Sequence, residues 1–343
     1  TPLYSSAASD VYKRQDEGDG IAVDGSGCAY VTGRTGSSEA TFPETIGPDL
    51  SYNGKDDAFV AKVKADGTGL VYCGYIGGSD WDWGRDIAVD NAGCAYVTGD
   101  TESDQLAEGF PVTVGPDLSY NFDWDAFVAK VRADGTGLVY CGYIGGGYND
   151  NGSGIAVDSS GCAYVTGGTA SWQDFPVVTG PDPTSNGGGD AFVAKVNTDG
   201  TGLAYCGYIG GSDSDGGHDI AVDSAGCAYV TGMTYSDETT EGFPVADGPG
   251  LTYKGAQDAF VAKVIADGTG LVYCGYIGGS TYDLGWGIAV DGSGCAYVTG
   301  ETESNETTEG FPVTVGPDLT FNGGYGDAFV AKVNPDGTSL IYA

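Results

Sequence analysis

Cys94-Ala95-Tyr96-Val97-Thr98-Gly99 decides the reading of the fold, because it is not unique. The same six residues begin at Cys28, Cys162, Cys227 and Cys295, and the five copies are spaced by 66, 68, 65 and 68 residues. Each copy sits among the same apolar blocks. In the second unit these are Ile87-Ala88-Val89-Asp90, the CAYVTG block, DAFVAKV from Asp125 to Val131, and LVYCGYIGG from Leu138 to Gly146. A period of this length marks an array of supersecondary units, none of which can bury its own faces alone.

Every block is four to nine residues long and rich in Val, Ile, Tyr and Phe, which suits strands and is too short for helices. Asp90-Asn91-Ala92-Gly93 and Ala133-Asp134-Gly135-Thr136-Gly137 read as tight turns, in which Asp bonds nearby backbone and Gly supplies positive φ. A longer connector passes through Phe-Pro, as at Phe110-Pro111 and Phe175-Pro176. Four strands per unit then make a small antiparallel sheet. Along residues 126–131 both alternate faces are mainly apolar, so the sheet is covered on both sides. Such sheets, repeated in series, are the blades of an all-β propeller. A parallel β-helix fits less well, since its rungs are shorter and need no hairpins.

Composition agrees. Of 343 residues 62 are Gly, which disfavours helices, while 41% are hydrophobic and 12% aromatic, enough for a core. Lys and Arg total 13 against 48 Asp and Glu, a net charge of −35 that excludes charge-driven binding to nucleic acid or anionic membranes. No stretch approaches the ~20 apolar residues of a membrane span. Residues 1–15, TPLYSSAASDVYKRQ, share nothing with the repeats and resemble translated sequencing-adapter read-through, a non-native or disordered leader. The propeller is expected over residues 16–343, in units of approximately 16–79, 80–147, 148–212, 213–280 and 281–343.

The blocks GIAVD-x-x-G-x-AYVTG, FP, DAFVAKV-x-x-DGT-x-L-x-Y and GYIGG resemble the bacterial β-propeller repeat known as SBBP, over essentially residues 16–343. That resemblance implies seven blades, large secreted or surface-exposed bacterial proteins, and no general catalytic activity. Five blades of four strands are therefore expected to be a fragment of a larger propeller. The chain departs from the family by placing Cys where small polar residues are usual.

The nine Cys form two columns, 28, 94, 162, 227 and 295 opening the second strand, and 73, 141, 206 and 274 within the fourth. Columns that enter together suggest disulfides in an oxidising compartment. The alternative is a small buried hydrophobe copied by duplication; zinc lacks any CxxC spacing or His partner. Strands two apart in one sheet lie ~9.6 Å apart, too far for a disulfide. The remaining pairs are Cys73 with Cys94, Cys141 with Cys162, Cys206 with Cys227 and Cys274 with Cys295. Another column, Lys62, Lys130, Lys195, Lys263 and Lys332, places a cation among apolar residues, where it needs a carboxylate or carbonyl or must snorkel. One structural ion pair per blade is expected, with Asp57, Asp125, Asp190, Asp258 and Asp327 nearby in sequence.

Between the outermost strand of one unit and the innermost of the next, the units stop being copies. Here lie the candidate ligand-binding residues Trp81, Asp82, Trp83, Tyr148, Asp150, Asp215, Tyr282, Asp283 and Trp286. Aromatic plates beside carboxylates suit sugars; the plainer reading makes the four Asp turn caps and the Trp edge covers. Asp213 and Asp215 alternate as in a calcium loop, without the full D-x-D-x-D-G pattern or a distal Glu. No G-x-S-x-G frames the only His, His218. The expected function is a non-enzymatic extracellular or cell-surface scaffold for adhesion, binding carbohydrate or a surface protein, with no cofactor beyond calcium. The alternative is a propeller glycoside hydrolase or lyase with carboxylates in its central channel. Non-repeated Asp, Glu, His or Arg converging in a pocket would distinguish them.

Overall fold

Alternation of small and large apolar residues gives each DAFVAKV block two buried faces, and the computed structural model, which describes residues 16–343, shows what covers them. The reading of residues 1–15 lies outside the described residues. The first unit contains β1 (Glu17–Val23), β2 (Ala29–Thr35), β3 (Asp57–Val63) and β4 (Leu70–Ile76). The second contains β5 (Asp82–Val89), β6 (Ala95–Thr101), β7 (Asp125–Val131) and β8 (Leu138–Ile144). The third contains β9 (Asp150–Val157), β10 (Ala163–Thr169), β11 (Asp190–Val196) and β12 (Leu203–Ile209). The fourth contains β13 (Asp215–Val222), β14 (Ala228–Thr234), β15 (Asp258–Val264) and β16 (Leu271–Ile277). The fifth contains β17 (Asp283–Val290), β18 (Ala296–Thr302), β19 (Asp327–Val333) and β20 (Leu340–Tyr342). No helix occurs among the described residues.

Each unit is one four-stranded antiparallel sheet with its strands in sequence order. The first strands of consecutive sheets lie against one another, so the GIAVD strand is innermost and LVYCGYI outermost. This is the five-bladed all-β propeller architecture expected. In the inner hairpin of the second sheet, Asp90 Oδ1 accepts the N–H groups of Ala92 and Cys94 while Oδ2 accepts the Tyr96 hydroxyl.

The core lies between sheets. Phe127 and Ala129 of β7 belong to the cluster shared with the first sheet, whereas Ala126 and Val128 belong to that shared with the third. The Phe-Pro connector is pinned by stacking: Phe110 lies 5.1 Å from Tyr143 and edge-on to Phe127 at 5.5 Å. Tyr143 donates its hydroxyl to the Ser103 carbonyl at 2.9 Å, so the connector folds back over its own sheet. In the first sheet the innermost strand stays uncovered among the described residues: Ile21 is 69% exposed, whereas its counterparts Ile87, Ile155, Ile220 and Ile288 are at most 8% exposed.

Two expectations need correction. All nine cysteines are free thiols, so none of the pairs Cys73–Cys94, Cys141–Cys162, Cys206–Cys227 or Cys274–Cys295 forms. Cys73 sits in the outermost strand opposite Ala61, its N–H bonded to the Ile46 carbonyl. Cys94 sits at the foot of the next inner hairpin, its N–H on Asp90. In each pair one cysteine lies in an outermost strand and the other just ahead of the second strand of the next sheet. The lysine column does find carboxylates, but not those of its own strand. Lys62, Lys130, Lys195, Lys263 and Lys332 lie 3.4, 3.8, 3.7, 3.6 and 3.3 Å from the hairpin residues Asp24, Asp90, Asp158, Asp223 and Asp291. Each ammonium also rests 4.5 to 4.7 Å above the ring of Tyr30, Tyr96, Tyr164, Tyr229 or Tyr297.

Candidate functional site

A β-bulge interrupts the inner hairpin of every sheet at the same place. Gly84 pairs with Gly99 and Asp86 with Thr98, which leaves Arg85 as the extra residue. The corresponding residues are Asp19, Ser153, His218 and Trp286. Bulges re-aim side chains and collect beside functional sites. Five sheets that copy one another elsewhere thus carry five different residues here: Asp, Arg, Ser, His and Trp. The cross-strand pairs just beyond the bulge vary as well: Glu17 with Arg34, Trp83 with Asp100, Asn151 with Gly168, Gly216 with Met233, and Leu284 with Glu301.

These variable residues form two groups. In the first, Trp83 lies 4.6 Å from Trp124 and 6.3 Å from Trp81, with the guanidinium groups of Arg34 and Arg85 each 4.8 Å from its ring. Arg85 binds Asp100 at 2.7 Å, and Arg34 binds Glu17 at 2.5 Å. Burial pushes the Asp100 carboxyl up, opposed by the charge of Arg85. In the second, the bulge residues of adjacent sheets meet: His218 stacks on Trp286 at 4.6 Å with 13° between rings, and its Nδ1 contacts the Gly285 carbonyl at 2.8 Å. Burial lowers the pKa of His218, favouring the neutral ring. Next to it a cleft of about 300 Å³ is lined by Asn149, Asn151, Gly168, His218 and Met233. Asp86 and Asp219 follow the bulges and accept N–H groups from the innermost strand of the next sheet, Ile155 at 2.9 Å and Ile288 at 2.7 Å.

Segments 72–106, 140–176 and 206–238 match the SBBP β-propeller repeat, each running from an outermost strand through the inner hairpin of the next sheet. Those three segments are SBBP repeats. Among curated proteins, none matches the sequence. Solved structures similar to this chain include a gluconolactonase from Xanthomonas campestris, at 12% identity, covering 82% of this chain and 69% of that one with a TM-score of 0.38. A luciferin-regenerating enzyme is 11% identical, covering 94% and 92% of the two chains at a TM-score of 0.38. A Synechocystis apocarotenoid oxygenase mutant is 11% identical, covering 96% and 70% at 0.39. Likenesses this distant carry no argument about activity.

The SBBP geometry separates the expected site residues. Asp82, Asp150, Asp215 and Asp283 are at most 4% exposed and hold the Gly-Gly turn ahead of their strands, accepting the N–H of Gly78, Gly146, Gly211 and Gly279 at 2.7 Å. They cap turns. Tyr148, Tyr282 and Trp286 are about half exposed, while Trp81 and Trp83 are partly covered by each other and by Trp124. Asp213 lies exposed in its loop and Asp215 is buried, so the two do not converge as a loop pair. Among the described residues no group of three His, Cys, Asp or Glu could hold a metal. Sequence reading passed over Arg34, Arg85 and Asp100, although the signal was present: the few positions at which near-identical repeats disagree.

Proposed function

We propose that the chain is a non-enzymatic binding scaffold, displayed outside the cell, that engages carbohydrate at the bulged end of its inner hairpins. The observation that carries this reading is the bulge itself, which aims a different side chain from each of five otherwise copied sheets. Loops and bulges on a rigid repeated frame are where recognition is built. Trp286 and Tyr148 offer exposed apolar faces on which a sugar ring stacks, and Arg85 and Asn151 offer donors and acceptors for hydroxyls. Glycosidase chemistry asks for two carboxyl groups flanking an open space. Here Asp100 is tied to Arg85, and Asp86 and Asp219 are tied to backbone N–H groups, which favours binding over catalysis. Location outside the cell rests on the SBBP resemblance, because free thiols do not support it.

The test is a panel of immobilised glycans, followed by tryptophan fluorescence titration of any that bind. Trp286→Ala and Tyr148→Ala should each weaken binding about tenfold, the equivalent of ~1.4 kcal/mol. A panel without a binder overturns the carbohydrate reading. Release of reducing sugar from a bound glycan overturns the non-enzymatic one.

A further inference from the structure

The Gly-Gly that ends each outermost strand lies between two buried aspartates of different sheets: Asp57 with Asp82, Asp125 with Asp150, Asp190 with Asp215, and Asp258 with Asp283. All eight are at most 4% exposed. A Cβ added to Gly145 would lie 2.1 Å from Asp125 Oδ1 and 3.0 Å from Asp150 Oδ2. Added to Gly210, it would lie 2.3 Å from Asp190 Oδ1 and 2.8 Å from Asp215 Oδ2. The oxygens that approach one glycine are therefore at most about 5 Å apart at the second and third junctions and at most about 6 Å apart at the first, where a Cβ on Gly77 would lie 3.0 Å from Asp57 Oδ1 and 2.8 Å from Asp82 Oδ2; one bridging calcium spans about 5 Å. Oδ2 of Asp125 accepts the Asn121 N–H at 3.0 Å, and Oδ2 of Asp150 accepts the Gly146 N–H at 2.7 Å and the Ser171 hydroxyl at 2.8 Å. Oδ1 of Asp57, Asp125, Asp190 and Asp258 has no hydrogen-bond partner at all. A dry carboxylate with a bare oxygen is costly unless a positive charge or a proton meets it.

The repeats differ in how they meet that demand. The charges acting on Asp57, Asp125 and Asp190 are other acids. In the fourth sheet, Lys254 replaces Asn53, Asn121 and Asn186 of the first three. Its ammonium donates to the Gly278 carbonyl at 3.4 Å, at the glycine between the two carboxylates, and to the Gly310 carbonyl at 3.0 Å. Its charge opposes the upward push of burial on both Asp258 and Asp283. Asn186 makes the corresponding contact to the Gly210 carbonyl with a neutral amide, at 3.4 Å.

We propose that each of the first three junction pairs binds one calcium ion between its carboxylates, and that Lys254 supplies the positive charge at the fourth. The two facing groups offer oxygen, the bare Oδ1 and the opposite carboxylate, which suits a hard cation tolerant of irregular geometry. The ion would clamp one sheet to the next at each junction.

Calorimetric titration of the metal-stripped chain with calcium chloride at pH 8 should give three ions per chain. Lys254→Asn should raise the count to four. Asn121→Lys copies what the fourth sheet already tolerates, and should lower the count to two without loss of fold, checked by circular dichroism. Asp213→Asn, in the exposed loop, should leave three. Calcium should raise Tm at pH 8 and lose that effect near pH 4, where protons neutralise the pairs. No saturable binding overturns the proposal and assigns neutralisation to protons. A count that ignores both Lys/Asn exchanges, or that falls with Asp213→Asn, overturns the placement.

Discussion

Gly135 and Gly67 occupy the same turn of consecutive units, both with positive φ, 74° and 69°, yet their surroundings differ. A Cβ on Gly67 meets nothing within 4 Å, whereas one on Gly135 would lie 2.4 Å from Cγ of Tyr72 in the preceding sheet. The first glycine is needed only for its backbone conformation, the second also for the sheet-to-sheet contact. Gly67→Ala should cost about 1 kcal/mol, and Gly135→Ala about 2 to 4 kcal/mol, since overpacking adds to strain. Equal urea midpoints for the two variants would refute this. Lys130 makes a different case. Asp90 keeps its bonds to Ala92, Cys94 and Tyr96 without it, so Lys130→Met should cost no more than ~1 kcal/mol in the same assay.

At the scale of the element, the strands were legible because composition and turn chemistry agree: Val, Ile and Tyr in short runs, closed by Asp and Gly. The innermost and outermost positions followed from hairpin connectivity. The bulge was not legible, since one extra residue in a strand leaves no compositional trace and shows only when register is counted across the hairpin. The cysteine columns were legible as columns but not as a pairing, because equal spacing along the chain says nothing about radius in the sheet. Cys73, Cys141, Cys206 and Cys274 are buried in outermost strands, and burial pushes the Cys73 thiol up to about 12. The native protein should therefore react slowly with a thiol reagent at pH 8 at these four positions, and release nine thiols when unfolded without reductant. One thiol under those conditions would restore the disulfide pairing.

At the scale of the whole molecule, stability depends on junctions between sheets. Burial raises Asp57, Asp86, Asp190 and Asp258 to about 7, and Asp82 and Asp125 to about 8. Such groups bind more protons folded than unfolded between about pH 4 and 8, so stability falls as pH rises through that window and levels off above it. Thermal melts in chelator should show Tm highest near pH 5 and lower at pH 8; a Tm that rises towards pH 8 would contradict the burial of these carboxyls. Among the described residues nothing covers the innermost strand of the first sheet at Ile21 and Val23, so amides of β1 should exchange faster than those of β9. Uniform protection would refute an array held together by nearest-neighbour contacts.

Sequence alone determined the repeat, the strands and the blade, because periodicity and turn residues are local properties, copied with each unit. It also held, unread, the variable positions that the bulge gathers. Which oxygens lack partners, which lysine answers which aspartate, and which cysteines stand apart were decided only by tertiary structure. Those relations join different sheets, and the packing of one sheet on the next sets distances that no spacing along the chain contains.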